Sequence, residues 1–234
     1  MTLRLFVEAP LAAGLELDLP PGPARHVQVR RAQPGDALVL FDGRGGEWAA
    51  TVVQMGRQRV SVRVGAHDPV GREAAIEVTL ALGMPANERM DWLVEKATEL
   101  GAAAIRPLVC ERSVLRLDGE RAERKRAHWQ GIAVAAAEQC GRTRVPEVLA
   151  PEPLALALDA PRQGFVLSLA AGALPLKDLP LPSGPLWLLS GPEGGLAPAE
   201  EALALAAGLR PLSLGSRVLR AETAPLVPLA RWTA

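Results

Sequence analysis

The chain has 234 residues, 49% of them hydrophobic, and carries 26 basic and 26 acidic side chains. That length can bury a core without disulfide or metal staples, and that apolar share excludes a disordered or fibrous chain. The balanced charge excludes a long-range pull toward nucleic acid, so any RNA site must be a local patch.

The first third reads as all-β. Residues 4–7 form a strand candidate, and residues 25–31 a short helix before the Gln33-Pro34-Gly35-Asp36 turn. Segments 37–41 and 48–54 flank Asp42-Gly43-Arg44-Gly45-Gly46, a hairpin signal with turn glycines. Residues 60–64 alternate as a half-exposed strand does. Several short strands with turns indicate a small barrel over residues 1–70, and 67–71 reads as a linker.

From residue 71 to 234 strands alternate with helices. Residues 76–82, 105–110, 165–169, 186–189 and 212–214 are apolar strand candidates. Asn87 can cap a helix that stops at Gly101, 120–140 is a long amphipathic helix, and Pro198 sits in the first turn of another that Gly208 ends. This is an α/β fold with a mostly parallel sheet. Cys110 and Cys140 are isolated, without CxxC or Cys/His spacing, so neither a metal nor a disulfide framework is expected; Cys140 reads as a small buried residue. No signal-peptide core and no apolar run near ~18 residues is present, so the chain reads as cytoplasmic, with no membrane contact.

Two loops carry the chemistry. Ser190-Gly191-Pro192-Glu193-Gly194-Gly195 and Leu214-Gly215-Ser216-Arg217-Val218-Leu219-Arg220-Ala221-Glu222-Thr223 each follow a strand and lead into a helical pattern. Successive strand–loop–helix units of this kind build one ligand site at the carboxyl edge of a parallel sheet. Glu193 inside the first loop disfavours a polyphosphate, and neither a Walker loop nor a Rossmann Gly-x-Gly-x-x-Gly is present. An uncharged or cationic adenine-containing ligand held by backbone fits better.

These two segments resemble the signatures of RsmE-type rRNA methyltransferases, of the SPOUT superfamily. Glu95-Lys96-Ala97-Thr98-Glu99-Leu100-Gly101 with Arg112-Ser113, and Ala137-Glu138-Gln139-Cys140-Gly141-Arg142 with Pro146, agree in the same order, as do Arg4, His26 and Pro34-Gly35-Asp36. The resemblance implies a sheet tied in a trefoil knot behind a PUA-like β-barrel that helps grip RNA. It implies S-adenosyl-L-methionine as cofactor and a homodimer with the site near the subunit interface. The implied reaction is methylation of uridine N3 in 16S rRNA of the small ribosomal subunit. Ribose 2′-O methylation of tRNA or rRNA, or a non-catalytic assembly factor on the same fold, are the alternatives.

By resemblance, Ser190, Gly191, Glu193, Gly194 and Gly195 form one wall of the cofactor pocket. Leu214, Gly215, Ser216, Arg217 and Leu219 form the other, and Leu167 and Leu169 complete it. The proton on uridine N3 must leave before or during attack; Glu193, Glu222 and His26 are the candidate bases. Arg217 and Arg220 can stabilise charge on uracil oxygens or hold a phosphate, and Arg4 is the candidate functional residue of the β domain. For RNA the candidates are Arg25, His26, Arg30 and Arg31, then Arg57, Arg59 and Arg63, whose alternation would place all three on one strand face. Leu196, Ala197 and Cys140 depart from the family pattern. Pro225 and Pro228 are expected to interrupt the closing helix.

Overall fold

A computed structural model describes residues 2–86 and 88–233, so the cap expected at Asn87 lies outside the described residues. The chain divides into two compact units. One comprises Met1–Glu73 with Ala137–Val145, the other Ala74–Ala136 with Pro146–Ala234.

The first unit holds β1 (Leu3–Phe6), β2 (Glu16–Asp18), α1 (Pro21–Val29), β3 (Ala37–Phe41), β4 (Glu47–Met55) and β5 (Val60–Asp68). They form a five-stranded sheet in the order β1-β3-β4-β5-β2, with β1 parallel to β3 and the other pairs antiparallel. Among the described residues β1 and β2 are the two end strands of this small β unit. Period-2 alternation turns Leu38, Leu40, Val52, Val60, Val62 and Val64 inward with Leu5 and Val27. The β3–β4 hairpin forms where the glycines predict it. Gly46 has φ 71°, and a Cβ there would lie 2.2 Å from His67 Nε2, so only glycine fits. His67 and Asp68 belong to β5, not to a linker. The extended pairing of β5 with β4 continues that far because Glu47 and Trp48 lie opposite them.

Arg4 is committed within this unit. Its guanidinium bonds Glu47 Oε2 at 2.9 Å and the carbonyls of Ala137, Glu138 and Arg142, with its carbon 4.7 Å from the centre of the Phe41 ring. Arg72 adds a 3.1 Å bond to Glu47, and Arg142 is bonded by Glu73. These contacts hold residues 137–145 to the β sheet. Burial opposes the Glu47 carboxylate, but hydrogen bonds from Arg72 and Arg4 outweigh it and hold its pKa below the usual range. These contacts make Arg4 a clamp within this unit. Cys140 is half-buried, not buried.

The second unit holds β6 (Val78–Gly83), α2 (Glu88–Glu99), β7 (Ala104–Val109), β8 (Glu147–Val148), β9 (Glu152–Pro153), α4 (Leu154–Ala157), β10 (Gly164–Leu167), β11 (Leu174–Pro175), β12 (Leu186–Ser190), α5 (Pro198–Ala206), β13 (Arg210–Ser213) and α6 (Leu226–Thr233). Between β7 and β8 runs α3 (Gly119–Cys140), whose last turn belongs to the first unit. All pairings of this sheet are parallel, in the order β11-β13-β10-β12-β6-β7-β8, with β9 on β7. β13 enters between β10 and β11 although both precede it, an order compatible with knotted connectivity. Both sheet faces are covered, as a parallel sheet requires. Val166 and Leu189 join Leu154, Ala157 and Ala204 of α4 and α5, while Phe165, one residue earlier, packs its ring 5.4 Å from Trp232 of α6.

The prolines do not break the last helix. It begins at Leu226, after Pro225, and Pro228 falls in its first turn, where a backbone N–H has no helical acceptor to lose. Glu222 lies in the turns that precede α6.

Candidate active site

Three adjacent parallel strands, β13, β10 and β12, end side by side, and their carboxyl-terminal loops enclose a cavity of about 640 Å³. From β10 come Leu167, Ser168 and Leu169. From β12 come Ser190 through Leu196, and from β13 come Leu212, Leu214 and the run Arg217 to Ala221, with Ala224. The last wall residue is Arg89, from the first turn of α2.

Local packing explains why the β12 loop must be glycine-rich. A Cβ on Gly191 would stand 2.8 Å from Leu196 N and 2.9 Å from Gly195 C, so the loop closes on itself only without one. Gly83, at the end of β6, admits Pro192, whose N would lie 2.6 Å from a Cβ there. Gly194 faces Arg112 instead: a Cβ would meet Arg112 Cβ at 3.0 Å, and Arg112 Nη1 donates to Gly194 O at 3.0 Å. Below the loop, Glu200 accepts from Ala197 N at 2.9 Å and from Glu111 N at 2.8 Å, which starts α5 without a side-chain cap from Ala197.

The charged groups differ in how far the fold uses them. Glu193 accepts from Ala86 N at 2.9 Å and from Arg89 Nη1 at 3.2 Å, so it pins its loop to the start of α2. Glu222 is 13% exposed; its Oε1 lies 4.0 Å from Arg89 Nε, and its Oε2 is buried with no hydrogen-bond partner among the described residues. Arg217 and Arg220 are exposed at the cavity and make no ion pair among the described residues. Ser168 Oγ bonds Glu201, fixing the β10 loop to α5.

Of the sequence-predicted pocket residues, Leu167, Leu169, Ser190, Gly191, Glu193, Gly194, Gly195, Leu214, Arg217 and Leu219 all line this cavity, as does Arg220. Gly215 and Ser216 do not; they sit at the turn that aims the following run inward. Glu222 stands behind the wall through Arg89, and Arg4 belongs to the other unit. Arg89 was not foreseen, because one arginine in an amphipathic helix carries no signal of its own.

In the first unit His26 Nδ1 lies 3.5 Å from Glu138 Oε2. Arg59 bonds Asp18 at 2.7 Å and Arg63 bonds Glu16 at 2.5 Å, across the antiparallel β2–β5 pair. Arg57 is not on a strand face with them: it lies in the β4–β5 turn, and β5 begins only at Val60. The expected stripe of three free arginines is therefore one turn residue and two ion pairs.

Residues 24–65 match the model of an RNA methyltransferase PUA domain, and residues 72–233 that of an RNA methyltransferase domain. A PUA module followed by an RNA methyltransferase domain defines the class of this protein. Ribosomal RNA small subunit methyltransferase E of Bacillus subtilis is 34% identical over 87% of this chain and 84% of its own. Its Synechocystis counterpart is 35% identical over 87% and 68%. Among solved structures, ribosomal RNA small subunit methyltransferase E from Neisseria gonorrhoeae, bound to S-adenosyl methionine, superposes with a TM-score of 0.93 at 36% identity, over 99% of this chain and 96% of that one. The chain belongs to the ribosomal RNA small subunit methyltransferase E family.

Proposed function

We propose that this protein transfers a methyl group from S-adenosyl-L-methionine to N3 of one uridine in 16S rRNA of the small ribosomal subunit. The observation that carries this is the meeting of the two signature loops around one cavity, in a chain of this family. A relative with bound S-adenosyl methionine shares the whole fold. The cavity's volume falls within the usual ~300–1,000 Å³ of cofactor sites. Its walls fit the cofactor chemically. Leu167, Leu169, Leu214 and Leu219 offer apolar surface to a flat ring, the glycine loop offers backbone, and Glu193 offers a carboxylate to a cationic ligand. When bound, the cofactor supplies an electrophilic methyl on a sulfonium.

The chain's own part is alignment and proton removal. Methyl transfer in line needs placement more than covalent help, and the loop stitched by Glu193, Arg112 and Glu200 is a rigid wall for it. The N3 proton needs an acceptor. Glu193 holds Ala86 N and Arg89 through Oε1 and so ties its loop to α2, while His26 lies in the first unit, with Nδ1 against Glu138. Glu222 retains an unused carboxylate oxygen beside the Arg89 that lines the cavity, which makes it the candidate acceptor. Arg217 and Arg220 supply free cations for uracil oxygens or a phosphate.

The same reading gives a homodimer working in the cytoplasm. Among the described residues no helix is long and apolar enough to cross a membrane. The test is incubation with methyl-labelled cofactor and unmodified small subunits, followed by nucleoside mass spectrometry. Label in 3-methyluridine of 16S rRNA is the expected result; label on a ribose oxygen overturns the target.

A further inference from the structure

The first unit carries a second concavity, of about 600 Å³, whose wall includes Gln28, Arg31, Gln33, Met55 and Arg57. It lies where the end of α1 meets the β4–β5 turn. Gln28 Nε2 donates to Gly56 O at 2.7 Å and to Arg57 O at 3.1 Å, so the turn is fastened to the helix and Arg57 is held at the rim.

The backbone at Arg31 is unusual. Ala32 N bonds Val27 O at 3.3 Å and Arg31 N bonds Gln28 O at 2.9 Å, the two bonds of a Schellman cap. That motif puts Arg31 at the left-handed position, with φ 55°, the one positive φ among the described non-glycine residues. Glycine is the residue favoured there, because an L side chain at that φ crowds its own backbone. An arginine kept at a cost to the cap points to a use for its side chain.

The arginines here also differ from those paired on the sheet of the same unit. Arg59, Arg63, Arg4 and Arg72 are in ion pairs, whereas Arg31, Arg57 and, one turn before Gln28, Arg25 are exposed and make none among the described residues. Asp36, five residues along the chain from Arg31, is tied to Gln33 N at 2.7 Å. Resting on the rRNA reading above, we propose that this concavity takes one unpaired nucleotide of the substrate RNA. Arg31 and Arg57 meet the phosphates on either side of it, and Met55 forms an apolar floor under its base.

The test replaces both cations without harming the fold, using the full-length protein with R31G and R57Q together. Glycine relieves the cap, so the melting temperature holds or rises; a merely structural arginine predicts the reverse. Binding to 16S rRNA is expected to weaken by roughly tenfold at low salt, and the salt slope to fall by about 1.4, at ~0.7 per phosphate on single strands. Cofactor affinity stays unchanged by calorimetry. The charge-neutral control, R126Q with E123Q, which removes an exposed ion pair of α3, leaves the slope alone. An unaltered slope in R31G/R57Q, with the wild type methylating subunits normally, overturns this site and leaves the methyltransferase reading intact. Failure of the wild type to methylate overturns that reading instead, whatever the slope does.

Discussion

The sheet of the β unit and the loops of the α/β unit treat charge differently. Five arginines on and beside the β sheet are consumed: Arg4 and Arg72 by Glu47, Arg59 by Asp18, Arg63 by Glu16, Arg142 by Glu73. In the α/β unit the loops at the sheet edge leave Arg217 and Arg220 without an ion pair, and one oxygen of Glu222 without a hydrogen-bond partner, among the described residues. A charge that the fold has already neutralised stabilises the fold; a charge left idle at a cavity is available for a ligand. Mutations should divide along this line, with loop variants losing function while folded and clamp variants losing stability while still active.

The largest effect is expected at Gly191. A valine side chain there must displace the backbone of Gly195 and Leu196, and the loop cannot keep its shape. Gly191→Val should abolish cofactor binding by calorimetry, with the rest of the fold intact by circular dichroism. Retained affinity would remove this loop from the site. Gly194→Val is the sharper comparison, because its side chain would meet Arg112 rather than the cavity. It should act by shifting Arg112 and weaken binding less.

Glu222→Gln comes next. It keeps the shape and removes the proton acceptor, so kcat should fall by about 10²–10⁴ while cofactor affinity holds. If kcat is unchanged, Glu222 is only the counter-charge of Arg89.

The sequence made the glycine loops legible because their composition is unusual and each follows an apolar strand. The alternation of strands and helices was equally plain, and the sheet is parallel as that pattern demands. Pairing was not legible. Nothing local tells that Glu16, in a three-residue strand too short to carry a pattern, lies opposite Arg63 of β5, or that Asp18 of the same strand meets Arg59 just before β5. Arg4 looked functional for the same reason: its partners are about 43 and 133 residues away. The prolines of α6 misled because position within the first turn, not presence in a helix, decides their cost.

Arg4→Ala tests the other side of the comparison. It unpairs part of Glu47 and strands three carbonyls of residues 137–142. Loss of a mostly buried partner should cost about 3 kcal/mol, read as a lower midpoint in urea. Because Glu47 is held below its ordinary pKa, the stability it contributes is present above its unfolded pKa and is lost as pH falls through the folded one. The variant's deficit should therefore shrink toward acid. Activity of the folded fraction should persist; a selective loss of kcat would return Arg4 to the catalytic set.

Glu138→Gln should give the smallest effect and the opposite sign. Burial pushes the Glu138 carboxyl up, against the Phe6 N–H bond and the nearby charges of His26 and Arg4. A carboxyl whose folded pKa is raised favours the fold while protonated, and that contribution is lost as pH rises through the folded value. The amide keeps an oxygen for Phe6 N, 2.9 Å away, without the buried charge. Glu138→Gln should thus be neutral in acid and slightly more stable than the parent near pH 7, by less than about 1 kcal/mol. A clear destabilisation at neutral pH would mean that the ionised Glu138, through His26 and Arg4, is part of the clamp rather than a cost it carries.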